Sequence, residues 1–298
     1  ERALSSKSKL LKVTLPDSVT TIESRAFNDC SHLRSVDMGN GVKTIGTFAF
    51  SGCNELTSIT LSENLTEIGE SAFNQCSALT ELALPDSVAT IGNGVFASCS
   101  KLKQVTLPNG LTSISESMFS DCSALTSVEI PDSVTSIEYR AFKNCSKLQQ
   151  ISLPDGLTTI GEGAFYSCSG LEQITFPEGL TSMGASAFYN CSGLVQVTLP
   201  NGLTSTGKEV FSSCSSLTSA EIPEGFTELA DGTFSNCGSL KDVKLPNSLQ
   251  KIGGGAFQNC DALTEITIPG NVTDICGSAF AKCDGLTSIV IPDSVTFI

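Results

Sequence analysis

The chain of 298 residues contains no tryptophan, three methionines, three tyrosines and a single histidine. With aromatics this scarce, the core must be aliphatic plus one column of phenylalanine. His32 has no second histidine with which to build a metal cluster. It lies two residues after Cys30 in a polar stretch, where a solvated loop residue is a simpler reading than a catalytic base. Basic residues are also few: 17 Lys and Arg stand against 31 Asp and Glu, for a net charge of −14. That balance argues against binding a nucleic-acid phosphate backbone or an anionic membrane surface. The acidic residues form no block or tail, so the charge reads as a solubility device spread over the surface. No run of 18 apolar residues occurs, so no membrane insertion is expected. The opening stretch ERALSSKSKLLKVTLP lacks the apolar h-region of a secretory signal. A G-x-S-x-G elbow, a phosphate loop and C-x-x-C metal pairs are all missing.

What the chain does have is a repeat, and a fixed period is to be sought first. Cysteine recurs at 30, 53, 76, 99, 122, 145, 168, 191, 214, 237, 260 and 283, every step being 23 residues. Phe stands three residues before each of these cysteines and Leu three residues after. All eleven prolines share one register, nine residues after the Cys position. The unit reads A-F-x-x-C-x-x-L-x-x-V-x-L-P-D-S-V-T-x-I-G. Ala3, Leu4, Lys7, Leu10, Val13, Leu15 and Pro16 continue it in decayed form at the N-terminus, and the chain stops at Ile298 in mid-unit. The expected organisation is one array over residues 1–298, about 13 units long and cut at both ends.

Within one unit, Val105 and Leu107 alternate with Gln104 and Thr106, which is the pattern of a strand with one buried face. P-D-S or P-N-G then supplies a turn. V-x-x-I returns two apolar residues over a short extended segment. A-F-x-x-C-x-x-L places apolar residues at i, i+1, i+4 and i+7, which predicts a helical turn. No unit can bury these columns alone, but stacked coils make each column continuous.

The L-x-x-V-x-L-P core resembles a leucine-rich repeat. The added A-F-x-x-C and the 23-residue period resemble the BspA-like, or treponemal-type, subclass over essentially the whole chain. That resemblance implies a curved right-handed solenoid with a concave parallel β-sheet of about 13 strands and short helical turns on the convex side. It also implies a non-catalytic, cofactor-free surface or secreted protein, such as an adhesin binding a host or matrix protein. An intracellular interaction scaffold using the same surface is the alternative. The chain carries no secretion signal or anchor of its own, so surface location rests on the resemblance alone.

The twelve periodic cysteines lie on an apolar face, and stacked equivalents point in parallel, which disfavours disulfides. A buried free Cys acts as a small hydrophobe. Cys276 differs: it replaces the Gly of I-G and is expected at an exposed coil corner. The acidic column after Pro (Asp17, Glu63, Asp86, Asp132, Asp155, Glu178, Glu224, Asp293) could suit calcium. Asn at 40, 109, 201 and 247 dilutes it, and a polar turn explains it as well. The N-x-S/T matches at Asn64, Asn144, Asn190 and Asn271 arise easily in a Ser/Thr-rich repeat. Thr recurs on the strand, but Asp37, Ala83, Glu129, Glu221 and Lys244 interrupt any ice-ordering array.

Candidate binding residues lie where strand side chains face outward. Gln104, Gln150, Gln173 and Gln196 share one column, and Gln149, Glu172 and Val195 lie beside it. These amides could grip a partner's backbone or bond to one another as a ladder. Tyr166 and Tyr189 share a register two residues before Cys and are a candidate interface pair. Phe48 stands in a column otherwise held by Arg, Ser, Gly and Glu, and is expected to be an exposed aromatic. Exposed array ends allow end-to-end self-association. One soft region is expected over 203–233, where Thr206 replaces Ile, Ala220 replaces Val, Phe226 replaces Leu or Val, and Thr233 replaces Ala.

Overall fold

A computed structural model describes residues 2–298. The chain forms two compact units, Glu1–Pro154 and Asp155–Ile298. Each is a stack of coils that repeats with the 23-residue unit.

In the first unit the strands are β1 (Lys12–Thr14), β2 (Thr21–Ile22), β3 (Ser35–Asp37), β4 (Thr44–Ile45), β5 (Ser58–Thr60), β6 (Glu67–Ile68), β7 (Glu81–Ala83), β8 (Thr90–Ile91), β9 (Gln104–Thr106), β10 (Ser113–Ile114) and β11 (Ser136–Ile137). The three-residue strands arise from x-V-x. Strands β1, β3 and β5 pair in parallel, as do β7 and β9. The register is one full repeat, so Val13 faces Val36 and Val36 faces Ile59. The central residue of each points inward and its two neighbours point outward, as in the buried Val105 between Gln104 and Thr106. The two-residue strands come from V-x-x-I and form a second parallel ladder, β2-β4-β6-β8, with β10 and β11 pairing separately. Thr reinforces this ladder. Both the amide and the hydroxyl of Thr66 donate to the Lys43 carbonyl, at 2.8 and 3.1 Å.

The second unit contains β12 (Thr159–Ile160), β13 (Ser182–Met183), β14 (Gln196–Thr198), β15 (Ser219–Glu221), β16 (Glu228–Leu229), β17 (Asp242–Lys244), β18 (Lys251–Ile252) and β19 (Asp274–Ile275). Strands β14, β15 and β17 form the x-V-x ladder. β12 pairs with β13, and β16, β18 and β19 pair in order.

Two expectations need correction. The x-V-x segments are expected to form about 13 strands. Among the described residues eight do so, and the short return segments contribute eleven more strands in ladders of their own. At 127–129 and 150–152 no strand forms, although Val128 and Ile151 remain buried. There the apolar column is held by burial rather than by ladder bonds.

The helical turns are also absent: no helix occurs among the described residues. The A-F-x-x-C segment sends alternate amides in different directions. Arg25, Phe27 and Asp29 donate to carbonyls of the next coil (Thr47, Ala49, Ser51) at 2.8–2.9 Å. Ala26, Asn28 and Cys30 instead close turns onto Glu23, Arg25 and Phe27. Two residues per coil make this possible by adopting left-handed φ, for example Arg25 (56°) and Asp29 (58°). An α-helix would keep every amide inside its own coil, leaving nothing to join the coils on this side. The position before Cys holds Asp, Asn or Gly in seven of the twelve units, the types that tolerate left-handed φ best, and Ser in three.

The side chains of this segment build the core. Phe27 to Phe142 in the first unit, and Phe165 to Phe280 in the second, stack face to face at 5.0–5.9 Å between ring centres. All thirteen cysteines are free thiols, and the twelve periodic ones are buried. Ten of them donate through Sγ to the carbonyl of the Phe one coil earlier, as Cys99 does to Phe73 at 3.2 Å and Cys122 to Phe96 at 3.1 Å, and Cys30 donates to the Leu4 carbonyl in the equivalent place. Cys therefore matches the column in size and also carries a weak donor. Burial pushes these thiols up, to about 12 for Cys53, Cys99 and Cys260.

The coils approach closely at the glycine that follows the return segment, usually the Gly of I-G. A Cβ at Gly207 would collide with the backbone nitrogen of Ala185, so a side chain there would force the coils apart. The substituted region departs from its neighbours in one ladder. The return ladder ends at β13 and resumes at β16, skipping the segment in which half-buried Thr206 stands among buried Ile and Leu. Thr233 is buried with its hydroxyl bonded to the Ala230 carbonyl at 2.7 Å. Phe226 and Ala220 are both buried.

Candidate binding surface

The outward strand side chains are positioned by the buried residue between them. In the first unit, Gln104 flanks buried Val105, and Gln149 and Gln150 precede buried Ile151. All three glutamines are exposed. In the second unit, Glu172 and Gln173 are exposed, and Val195 and Gln196 precede buried Val197. Val195 is 44% exposed, one of few large apolar side chains to be so. Its amide donates to the Glu172 carbonyl at 3.2 Å, which sets these two residues on neighbouring coils. The side chains of Gln104, Gln150, Gln173 and Gln196 bond to no other described residue, so no amide ladder forms among them.

Tyr166 and Tyr189 lie in the turn segment beside the Phe column, not among the strand residues. Their rings stack at 4.8 Å with an 11° tilt, and both are half-buried. They are thus joined to each other but not to the glutamine column. Phe48, expected to be exposed, is instead half-buried, with the Arg25 guanidinium 4.9 Å from its ring centre.

Sequence reasoning misses a trough in the first unit. A groove of about 900 Å³ runs from Leu84–Asp86 past Gln104–Leu107 and Ser127–Asp132 to Gln150–Pro154. A smaller hollow of about 470 Å³, lined by Ser58, Glu81 and Gln104 among others, lies beside it. Both coincide with breaks in the x-V-x ladder: one between β5 and β7, the other beyond β9. The Leu84 amide reaches the Thr106 carbonyl at 3.0 Å, but Leu107 makes no such bond to Glu129. Neither groove is lined by a basic residue.

Several acids of the P-D turn are satisfied within the fold. Asp86 accepts the Asn109 amide at 3.0 Å, and Asp17 accepts that of Asn40 at 2.8 Å. Glu224 accepts from Asn247 and Ser248, and these backbone donors lower its pKa. In the second unit three acids pair with lysines: Glu221 with Lys244 at 3.4 Å, Glu228 with Lys251 at 2.7 Å, and Asp231 with Lys208 at 2.9 Å. The Lys208 contact holds the Asp231 carboxyl below the usual range. Cys276 is the one thiol that is not buried.

Parallel coils in register at 23 residues, with a Leu-x-x-Val-x-Leu strand side and a stacked Phe–Cys turn side, define a parallel β-solenoid of the leucine-rich-repeat class. The chain belongs to the BspA-type leucine-rich repeat family: the model of a BspA type leucine rich repeat region (6 copies) matches residues 1–126, 113–237 and 181–298. It is similar to the crystal structure of a leucine-rich repeat protein from Bacteroides ovatus, with 33% identity over 100% of this chain and 76% of that one, at a TM-score of 0.93. It also resembles a leucine rich cell surface protein from Faecalibacterium prausnitzii, with 33% identity over 93% of this chain and 86% of that one, at a TM-score of 0.63. The pneumococcal vaccine antigen PcpA shares the fold at 22% identity, over 96% of this chain and 78% of that one, with a TM-score of 0.52. No curated protein matches the chain.

Proposed function

We propose that this chain is a non-catalytic protein-binding module of a cell-surface adhesin, engaging a host or matrix protein through the outward strand residues. The observation that carries this reading is a pair of free glutamine side chains in each unit. Gln104 and Gln150 in one unit, and Gln173 and Gln196 in the other, are exposed, and their side chains bond to nothing among the described residues. An amide supplies two donors and an acceptor, which suits a partner's backbone or polar side chains. Gln149 lies beside Gln150, Glu172 beside Gln173 and Val195 beside Gln196. Tyr166 and Tyr189 form a second, separate candidate patch of half-buried aromatic surface. Surface location draws support from the family and from the printed description of the Faecalibacterium prausnitzii relative.

The test is a titration of the chain against immobilised fibronectin and fibrinogen, beside a variant carrying Gln150→Arg, Gln173→Arg and Gln196→Arg. Saturable binding lost in the variant supports the reading. Binding retained in the variant moves the contact to the turn side, where Tyr166→Ala and Tyr189→Ala are the next changes. No binding to either protein turns the search to intracellular partners.

A further inference from the structure

We propose that the trough of the first unit receives a short, extended, basic peptide segment of the protein partner. This deepens the reading above and rests on it. Glu129 occupies the same repeat position as Glu221, whose carboxylate is neutralised by Lys244 on the next coil. One coil beyond Glu129 stands Ser152, and one coil before it stands Thr106. Glu129 is exposed and makes no ion pair or hydrogen bond through its side chain with any described residue. The same is true of Asp132 on the same coil and of Glu81 in the adjoining hollow.

An exposed carboxylate alone would attract any cation weakly. Here several further features narrow the choice. The trough walls include no Lys or Arg, so its carboxylates meet no competing cation. Gln104 and Gln150 stand on either side of the Glu129 coil with unengaged amides, placed to hold a peptide backbone above it. The ladder break leaves the Leu107 amide and Glu129 carbonyl unpaired, which adds hydrogen-bonding capacity at the groove. Among the lining residues, half-buried Pro85 and Pro131 offer apolar surface for the methylene stems of Lys or Arg. The trough crosses four coils, roughly 14 Å at the usual strand spacing, enough for about four extended residues. A compact ion would leave most of that length empty, whereas an extended segment with a basic side chain matches charge, length and amide spacing together.

The test uses a fluorescein-labelled hexapeptide of alternating Ser and Lys, with Ser–Glu and all-Ser peptides as controls. These are titrated into the full chain at about 0.15 M salt, where long-range attraction by net charge is screened beyond roughly 8 Å. The variants are Glu129→Gln, Glu129→Lys and, in the second unit, Glu221→Gln, each checked for an unchanged thermal transition. The expected result is saturable binding of the Ser–Lys peptide alone, weakened about tenfold or more by Glu129→Lys, less by Glu129→Gln and not by Glu221→Gln. Equal loss in Glu221→Gln would show that net charge governs the binding and would overturn the proposal. So would affinity unchanged by Glu129→Lys, or binding of the Ser–Glu peptide. The broader reading fails separately. If the matrix titration is abolished by the triple glutamine variant while the peptide result is negative, the strand face stands and the basic-segment assignment falls.

Discussion

The two sides of each coil are held by different physics. On the Phe–Cys side, alternate amides reach the next coil, rings stack, and each buried thiol donates to a carbonyl one coil earlier. On the x-V-x side, the ladder forms over β1-β3-β5, breaks, forms over β7-β9, and breaks again within the first unit. The contrast shows that the strand side can lose its hydrogen bonds and stay in place, because Val128 and Ile151 remain buried. The turn side has no such slack. Its backbone conformation is costly, with left-handed residues four positions apart, and is sustained by the bonds and packing it makes possible. A rigid turn side can therefore carry a strand face whose side chains and open backbone groups are free for a partner.

The largest expected effect comes from alkali. Burial pushes thiols of this column above their ordinary value of 9.0, to about 12 at Cys53, Cys99 and Cys260 and well above it at Cys76, Cys122, Cys191, Cys214 and Cys237. A thiol with a raised folded pKa favours the folded state most fully below the unfolded pKa, and loses that contribution as pH rises through the folded value. The prediction is cooperative unfolding between about pH 9 and 12, followed by circular dichroism. At neutral pH, an exposed-thiol reagent should label Cys276 quickly and the twelve buried cysteines only on unfolding. Rapid labelling of all thirteen in the folded chain would contradict the locked turn side.

Next in size is Phe119→Ala, which removes one ring from the stack and should cost about 3–5 kcal/mol. Gln104→Ala on the opposite side should stay within about 0.5 kcal/mol. Urea melts of the pair measure the asymmetry, and equal losses would erase it. Asp121→Val tests the backbone instead. Asp121 has φ of 62°, its carboxylate receives the Asn144 amide at 2.7 Å, and a β-branched residue is strained there. A loss of about 1–2 kcal/mol is expected, while Gln75→Gly, at φ 60°, should be neutral or stabilising.

The smallest effect concerns the one gap in the return ladder with a visible side-chain counterpart. Thr206→Ile restores the apolar residue that Ile160 and Ile252 supply elsewhere, and should stabilise by about 1 kcal/mol. Hydrogen exchange over residues 203–207 should slow in that variant. Unchanged exchange would separate the gap from the substitution.

Much of the fold is legible in the order of residues. Ala, Phe, Cys, Leu, Val and Ile stand in the columns that are buried, because the 23-residue period forces equivalent residues into equivalent places. The turn segment reads as a helix because apolar residues at i, i+1, i+4 and i+7 fit a helix as well as they fit this alternating path. The signal that separates the two is the residue before Cys: Asp29, Gly52, Asn144 and Asn190 are the types that accept left-handed φ. The exposed glutamines are also legible, since they alternate with buried valine and isoleucine. The trough is not. It depends on which neighbouring strands fail to pair, and no single coil encodes that.

The period, the columns and hence the stacking of coils follow from the amino-acid order alone, since a short unit can bury its apolar face only against a copy of itself. So does the use of Cys as shape rather than as crosslink. The route of the backbone between those columns is settled at the level of packed coils. It depends on whether each amide finds its acceptor within its own coil or on the next. The same holds for Glu129, which remains unpaired where Glu221 is neutralised because the residue one coil further on is Ser152 in the first case and Lys244 in the second.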